Sequence, residues 1–461
     1  MKFPQHLSFV PGLLRLAMPI AAQALMMTVL NLVDTVMVGR LGEVEIAAIA
    51  LGNQILFLLM LFLLGVGSGG AVFAAQYWGK GDVAGVRKAL GVSLRVALTG
   101  ALLFSTAAIA APRLLLSAFT EDARVITVGI PYLRIVGSSY LFTAASATFA
   151  HSLRSIGDTR LPMYASILSI SVNIVGNYVL IFGALGMPAL GVTGAAISTA
   201  IARSLELGLI LTIVYRRRGP IAASPAELLR RDPVFARRYL ARSAPVIVNE
   251  VLWSLGFVMY ALVFGRMGTA YLAAYNIADT VGRLMLVFFI GTGQASAVLI
   301  GNTIGRGEPA EAERIGRTLL RLVPAVSAAA GVFVFLVVAP LVPELFAIPE
   351  STRLLVRQFL RLFSVLLVAK AGNIHVIVGI LRGGGDTRYS LAIDILPLWL
   401  LGVPLTVVAG LVLGLPAPLV YGCLMLEEGV RFLLGWARVH SGRWVTDVTS
   451  EQVAIINPPN G

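Results

Sequence analysis

Residues Ile46–Val72 read IAAIALGNQILFLLMLFLLGVGSGGAV, a run without a single charged side chain. A helix crosses the hydrocarbon core of a bilayer with about 20 mostly apolar residues, so this stretch is long enough to span and too apolar for a surface element. Comparable stretches recur at approximately 12–38, 89–111, 125–150, 161–184, 190–215, 242–264, 271–300, 315–338, 353–381, 389–413 and 417–438. Backbone amides in hydrocarbon must be bonded within the segment, and the alternating pattern of a membrane barrel is missing, which leaves helices. The fold class expected is therefore an all-α integral membrane protein with twelve transmembrane helices.

Composition agrees with that reading. The 461 residues are 57% hydrophobic and 13% charged, where soluble domains carry about 25% charged residues. A soluble chain of this make-up would not cover its own surface. The net charge of +13 would suggest nucleic acid in a soluble protein, but in a membrane chain its distribution decides. Lys80, Arg87 and Lys88 follow the second apolar stretch, Arg154 and Arg160 the fourth, and Arg216, Arg217, Arg218, Arg230, Arg231, Arg237 and Arg238 the sixth. Arg306, Arg314 and Arg317, then Arg382 and Arg388, then Arg438 and Arg443 continue the alternation, with Arg353 and Arg357 as exceptions. Cations collect in cytoplasmic loops, so both termini are expected in the cytoplasm and no nucleic acid is implied. Cys423 is the lone cysteine and can form no intrachain disulfide. The first stretch contains Arg15 and runs on to Val38, which suits a retained span better than a cleaved signal.

Internal repetition divides the chain. Gly39-Arg40-Leu41-Gly42 returns as Gly265-Arg266-Met267-Gly268, a shift of 226 in the numbering, and Gly65, Gly67, Gly79 and Gly81 return as Gly291, Gly293, Gly305 and Gly307. Pro19 matches Pro245 at the same shift, and LRSIGDTR at Leu153–Arg160 answers LRGGGDTR at Leu381–Arg388 with a shift of 228. Six spans per repeat is an even number, so both copies enter from the same side, related by an axis along the membrane normal. The expected organisation is an N-terminal six-helix lobe at 1–215, a basic cytoplasmic linker at 216–241, a C-terminal six-helix lobe at 242–440 and a cytoplasmic tail at 441–461. Two facing six-helix lobes suit a transporter.

With these motifs the chain resembles the MATE (multidrug and toxic compound extrusion) family of secondary transporters. The likeness is carried by PIAAQALMMTVLNLVDTVMVGRLG at Pro19–Gly42, the glycine-rich stretch Gly65–Asp82, the two GDTR loops, NIVGNYVLIFGALGMPALGVTGAA at Asn173–Ala196, and the ending from Glu427-Glu428 to Ser441-Gly442-Arg443-Trp444. It is similar to the DinF-like and NorM-like bacterial branches. The resemblance implies an exporter of amphipathic, often cationic compounds in a bacterial or archaeal plasma membrane, driven by inward H+ ahead of Na+. It implies small-molecule substrates and the lipid bilayer as partners, a monomer, no cofactor, no metal and no enzymatic activity. A lipid-linked precursor flippase of the same superfamily is the alternative, and a membrane enzyme or receptor a remote one.

Scarce intramembrane acids are the candidate site. A carboxylate at a helix centre costs about 2.5–3.5 kcal/mol, so it needs a partner, a wet cavity or a proton. Asp34, in the first span, matches the aspartate that the family uses for proton coupling; a structural hydrogen-bonded carboxylate is the alternative. Around it the resemblance places Tyr132, Asn173 and Asn177. The two asparagines are four apart and share a helix face, though ordinary interhelical bonding also explains them, and some relatives carry an aspartate where Asn177 stands. Glu250 in span seven matches the glutamate of Na+-coupled members, but the acid they carry in span ten is not evident near Lys370. Hard cations want several oxygen ligands, which weakens the case for Na+. Lys370 and Asp394 are further candidates for the supporting polar cavity, with a structural ion pair of Lys370 to Glu250 or Asp394 as the alternative. Glu206 with Arg203, Asp279 with Arg283, and Glu427 with Arg431 pair at helical spacing. His375 has no companions for metal ligation. Met26, Met27, Phe57, Trp253, Met259, Tyr260 and Trp399 are candidate pocket-lining residues, soft or aromatic, with packing as the alternative. No GxxxxGK[ST] loop is present in the sequence, which argues against direct use of ATP.

Overall fold

A computed structural model describes residues 9–450, apart from the side chains of residues 31 and 32. Among the described residues every regular element is helical. The long helices are α1 (Phe9–Val38), α2 (Glu43–Gly79), α3 (Val83–Ala110), α4 (Ala123–Ser138), α5 (Tyr140–Ser155), α6 (Arg160–Phe182) and α7 (Gly191–Arg217) in the first half. The second half holds α8 (Pro233–Met267), α9 (Thr269–Gly305), α10 (Pro309–Leu345), α11 (Glu350–Arg382), α12 (Thr387–Val412) and α13 (Ala417–His440). Ten of these are long and apolar enough to cross a membrane, and α4 with α5 makes an eleventh span bent by 43°. The bend falls at Gly137-Ser138-Ser139, where the two serine hydroxyls bond to the carbonyls of Ile135 and Val136, a usual place for a helix to break. The twelfth expected span forms α13, whose apolar run is interrupted by the buried Glu427, Glu428 and Arg431.

The repeat is visible in the backbone. Helices α2 and α9 are both 37 residues long. Their first residues, Glu43 and Thr269, and their last, Gly79 and Gly305, stand at the same shift of 226 that relates the motifs. Contacts divide the chain into two compact lobes, one from Ala22 to Ile247 and the other from Val248 onward together with the chain up to Ala21. The cuts therefore fall inside α1 and α8, at equivalent positions of the repeat, and the 216–241 connection belongs with the first lobe. Residues 451–461 of the expected tail lie outside the described residues. Glycine makes this arrangement fit. A Cβ on Gly65 would lie 2.6 Å from the Ile247 Cα, and one on its repeat mate Gly291 would lie 2.9 Å from the Ala21 Cβ. Each lobe thus receives the end segment of the other repeat's first helix against a glycine of its own second helix.

The segments that follow the sixth span of each repeat are strapped down. In the first lobe Arg87 of α3 bonds the Pro220 carbonyl and Glu227, both at 3.0 Å, and Arg95 reaches the Leu228 carbonyl at 3.2 Å. Lys88 pairs with Asp232 and, with the Phe235 amide, holds that carboxyl below the usual carboxylate range. In the second lobe Trp444 is fully buried, its indole donating to the Val439 carbonyl at 3.1 Å. Its ring occupies the space that a Cβ on Gly384 would need. The Thr446 amide bonds the Gly384 carbonyl at 2.9 Å, and Arg438 pairs with Asp386 at 2.8 Å. The extra glycines of LRGGGDTR, where the first repeat has Ser155 and Ile156, make room for this tryptophan.

Removing a buried large aromatic costs about 3–5 kcal/mol. Trp444→Ala is therefore expected to lower the apparent Tm of the purified protein by several degrees, whereas Trp436→Ala, at an exposed tryptophan of the same lobe, should leave it nearly unchanged in the same thermal scan.

Candidate functional site

In the first lobe Asp34 projects from the last third of α1, partly buried. Its Oδ1 accepts from Asn177 Nδ2 at 2.8 Å, and that amide also lies 3.3 Å from Asn173 Oδ1. Both asparagines are buried on one face of α6, as their spacing requires. Asn173 in turn donates to Thr199 of α7 at 3.2 Å. Tyr132 is buried on α4, and its hydroxyl donates to Asn53 of α2 at 2.9 Å, so it meets a neighbouring amide and not the carboxylate.

A second polar tier lies further down α1. Gln23 stands at the midpoint of that helix, three turns or about 16 Å from Asp34. Arg154 of α5 donates to Gln23 Oε1 at 2.6 Å, and Gln23 donates to Ser166 of α6. Ser166 then bonds Glu206 of α7 at 3.0 Å, and Arg203 pairs with Glu206 at 2.9 Å.

The second lobe is more heavily ionic. Glu250 of α8 pairs with Arg382 at 2.7 Å, both buried. Asp394 of α12 accepts from Asn249 at 2.7 Å and pairs with Arg431 of α13 at 3.0 Å. Arg431 also meets Glu427, which accepts the Tyr260 hydroxyl. Lys370 pairs with Glu428 at 2.9 Å, and Asn373 donates to the same carboxylate at 2.7 Å. Lys370 therefore neutralises neither Glu250 nor Asp394, against the alternative that the sequence offered. Arg382 lies more than three helical turns beyond Lys370 on α11 and reaches Glu250, while Lys370 is left level with α13.

The remaining candidates separate by their bonds. His375 is a core histidine held by the Ala371 carbonyl at 2.8 Å and Thr292 at 3.0 Å. Trp399 donates to the Leu252 carbonyl at 3.1 Å, and Trp253 packs on Phe257 with centroids 4.3 Å apart. Tyr260 is buried and committed to Glu427, whereas Phe57 is exposed. Met26, Met27 and Met259 are partly buried. Sequence reasoning missed Gln23, Arg154, Ser166, Asn249, Arg382 and Glu428. The repeat held the signal: Gln23 and Asn249 stand at the shift of 226, while Arg154 with Arg382, Ser166 with Asp394 and Arg203 with Arg431 stand at the shift of 228.

A model of the MatE family matches residues 19–179 and 245–408, one match per repeat. A probable multidrug resistance protein NorM of Bradyrhizobium diazoefficiens is 30% identical over 415 residues, which cover 88% of this chain and 87% of that protein. The corresponding Thermotoga maritima protein is 25% identical over 86% of this chain and 84% of its own length. A crystal structure of MATE in the bent conformation superposes with a TM-score of 0.84 at 20% identity, covering 94% of this chain and 96% of that one, a likeness of fold.

Breaking a buried ion pair from one side strands the other charge, at about 3–5 kcal/mol. Arg382→Gln is therefore expected to destabilise the second lobe strongly, and adding Glu250→Gln should restore most of the loss in thermal unfolding; simply additive losses would show that the two groups are not coupled.

Proposed function

The chain belongs to the MatE family, a family of membrane transporters and not of enzymes, and on that premise we propose that it exports amphipathic, often cationic compounds in exchange for protons taken up at Asp34. The observation that carries this reading is the company each intramembrane acid keeps. Glu206, Glu250, Asp279, Asp394, Glu427 and Glu428 each lie against an Arg or Lys. Asp34 alone, among the described residues, is met by a neutral amide only. The cation whose field reaches it, Arg203, is already held by Glu206. Asp34 can gain and lose a proton without breaking an ion pair, and intramembrane acids with that freedom mark proton routes. As an anion it suits a cationic substrate; as a neutral acid it has no charge to hold one, so proton and substrate compete for one group.

Glu250 serves a different purpose in this reading. Its partner Arg382 fills the place that a cation would take, which supports H+ over Na+ as the coupling ion. The basic linker and the basic loops support an orientation with both termini in the cytoplasm, the bacterial relatives support a plasma membrane, and in this reading the protein works as a monomer.

The test is transport in proteoliposomes under an imposed pH or Na+ gradient, with one fluorescent cationic drug. A pH gradient should drive uptake by the native protein and fail with Asp34→Asn, while a Na+ gradient drives neither. Wild-type-like proton-driven transport by Asp34→Asn would overturn the assignment.

A further inference from the structure

The connection between α7 and α8 carries seven arginines and two acids, Glu227 and Asp232, over residues 216–241. Both acids are spent on the lobe itself. Arg87 of α3 takes Glu227 at 3.0 Å, and Lys88 takes Asp232. Arg95 adds bonds to the carbonyls of Leu228 and Arg230 at 3.2 and 2.5 Å, and Ile221, Ala223, Phe235 and Tyr239 are buried. The backbone is thus fixed against α3. Arg230, Arg231 and Arg237 are exposed, and among the described residues none of them meets a carboxylate. The basic segment that leads into α10 is built the other way. Arg306, Arg314 and Arg317 are exposed as well, but Glu308, Glu311 and Glu313 neutralise them at 3.0, 2.7 and 3.0 Å.

The place of the connection identifies what would cover it. Helix α7 ends at Arg217 and α8 begins at Pro233, and both are long and apolar enough to cross a membrane, so the segment between them lies at a membrane surface. Helix α8 has 35 residues, about 52 Å of helix against a hydrocarbon core of about 30 Å, and its apolar run lies between Arg242 and Arg266. Its first turns therefore stand at headgroup depth. There its exposed face reads Val234, Arg237, Leu240 and Ala244 at helical spacing. Leu229 and Val234, on either side of Arg230 and Arg231, are 68% and 66% exposed. Guanidinium groups match phosphate oxygens with paired donors. A soluble polyanion would leave the two apolar side chains in water, whereas a lipid surface offers phosphate and hydrocarbon side by side.

We propose that Arg230, Arg231 and Arg237, flanked by Leu229 and Val234, form a headgroup site for anionic phospholipid. The guanidinium groups take the phosphodiester, and the acyl chains run along the exposed face of α8 past Leu240 and Ala244. Three cations without a carboxylate call for a headgroup with net negative charge, so a zwitterionic lipid with its own ammonium is a poor match. The linker is then an anchor to the bilayer as well as a connection. This inference stands apart from the coupling role of Asp34 and requires only that α7 and α8 cross the membrane.

The site is tested by native mass spectrometry of the full-length protein in mild detergent, titrated with phosphatidylglycerol or with phosphatidylcholine of the same acyl chains. The native protein should bind phosphatidylglycerol about tenfold more tightly. Arg230→Gln, Arg231→Gln and Arg237→Gln together should weaken phosphatidylglycerol about tenfold or more and leave phosphatidylcholine within about twofold. Arg306→Gln, Arg314→Gln and Arg317→Gln together remove the same number of cations and should leave both lipids within about twofold. Equal losses from the two triple variants would mean that binding follows net charge alone and would overturn the site, as would no loss from the first. Leu229→Ser with Val234→Ser should weaken phosphatidylglycerol severalfold with every arginine in place, and inorganic phosphate should not displace the lipid. Displacement by phosphate, with no effect of the two serines, would reduce the site to a simple anion site and contradict the lipid assignment.

Discussion

A charge in hydrocarbon must be compensated, and the interior of both lobes is organised by how each charge finds its partner. In the second lobe the solution is dense pairing. Helices α8, α11, α12 and α13 converge on Asp394, Glu427, Glu428, Lys370, Arg431 and the Glu250–Arg382 pair, with Asn249, Asn373 and Tyr260 bonding the carboxylates. In the first lobe pairing is thinner, and among the described residues the intramembrane acid Asp34 is met only by a neutral amide. That acid is where we place the exchange of protons and substrate.

The asymmetry has a simple origin in a duplicated chain. Two copies of a six-helix unit begin with the same polar positions, and each position that changes independently alters the charge balance of one lobe only. With Ala24 opposite Glu250 and Ser166 opposite Asp394, the first lobe has two acids fewer at these positions, and Glu206 supplies one nearby. A lobe short of partners is open to one, at some cost in stability when empty.

Much of the fold was legible in the sequence because its causes are local. Runs such as Ile46–Val72 can satisfy their amides in a bilayer only as helices, and the repeat shift seen in the glycine motifs reappears at both ends of α2 and α9. The asparagine pair at Asn173 and Asn177 and the contact to Asp34 followed from helical spacing and the resemblance of the first span. What could not be read depends on tertiary reach. Arg154 and Arg382 count as loop cations by position, yet each side chain turns back from a helix end into its lobe. Lys370 looked like a partner for Glu250 or Asp394, but the axial offset along α11 gives Glu250 to Arg382, and Arg431 holds Asp394. The cuts inside α1 and α8 were hidden because no composition change marks them; they follow from the close approach allowed at Gly65 and Gly291.

The central claim is that a cationic substrate and a proton compete for Asp34. Proton release on binding measures this directly. In weakly buffered solution with a pH indicator, at a pH where the carboxyl is protonated, saturating the purified protein with a cationic drug should release about one proton per protein, and Asp34→Asn should release none. Equal release from both proteins, or drug binding to the native protein with no release at any pH, would contradict it.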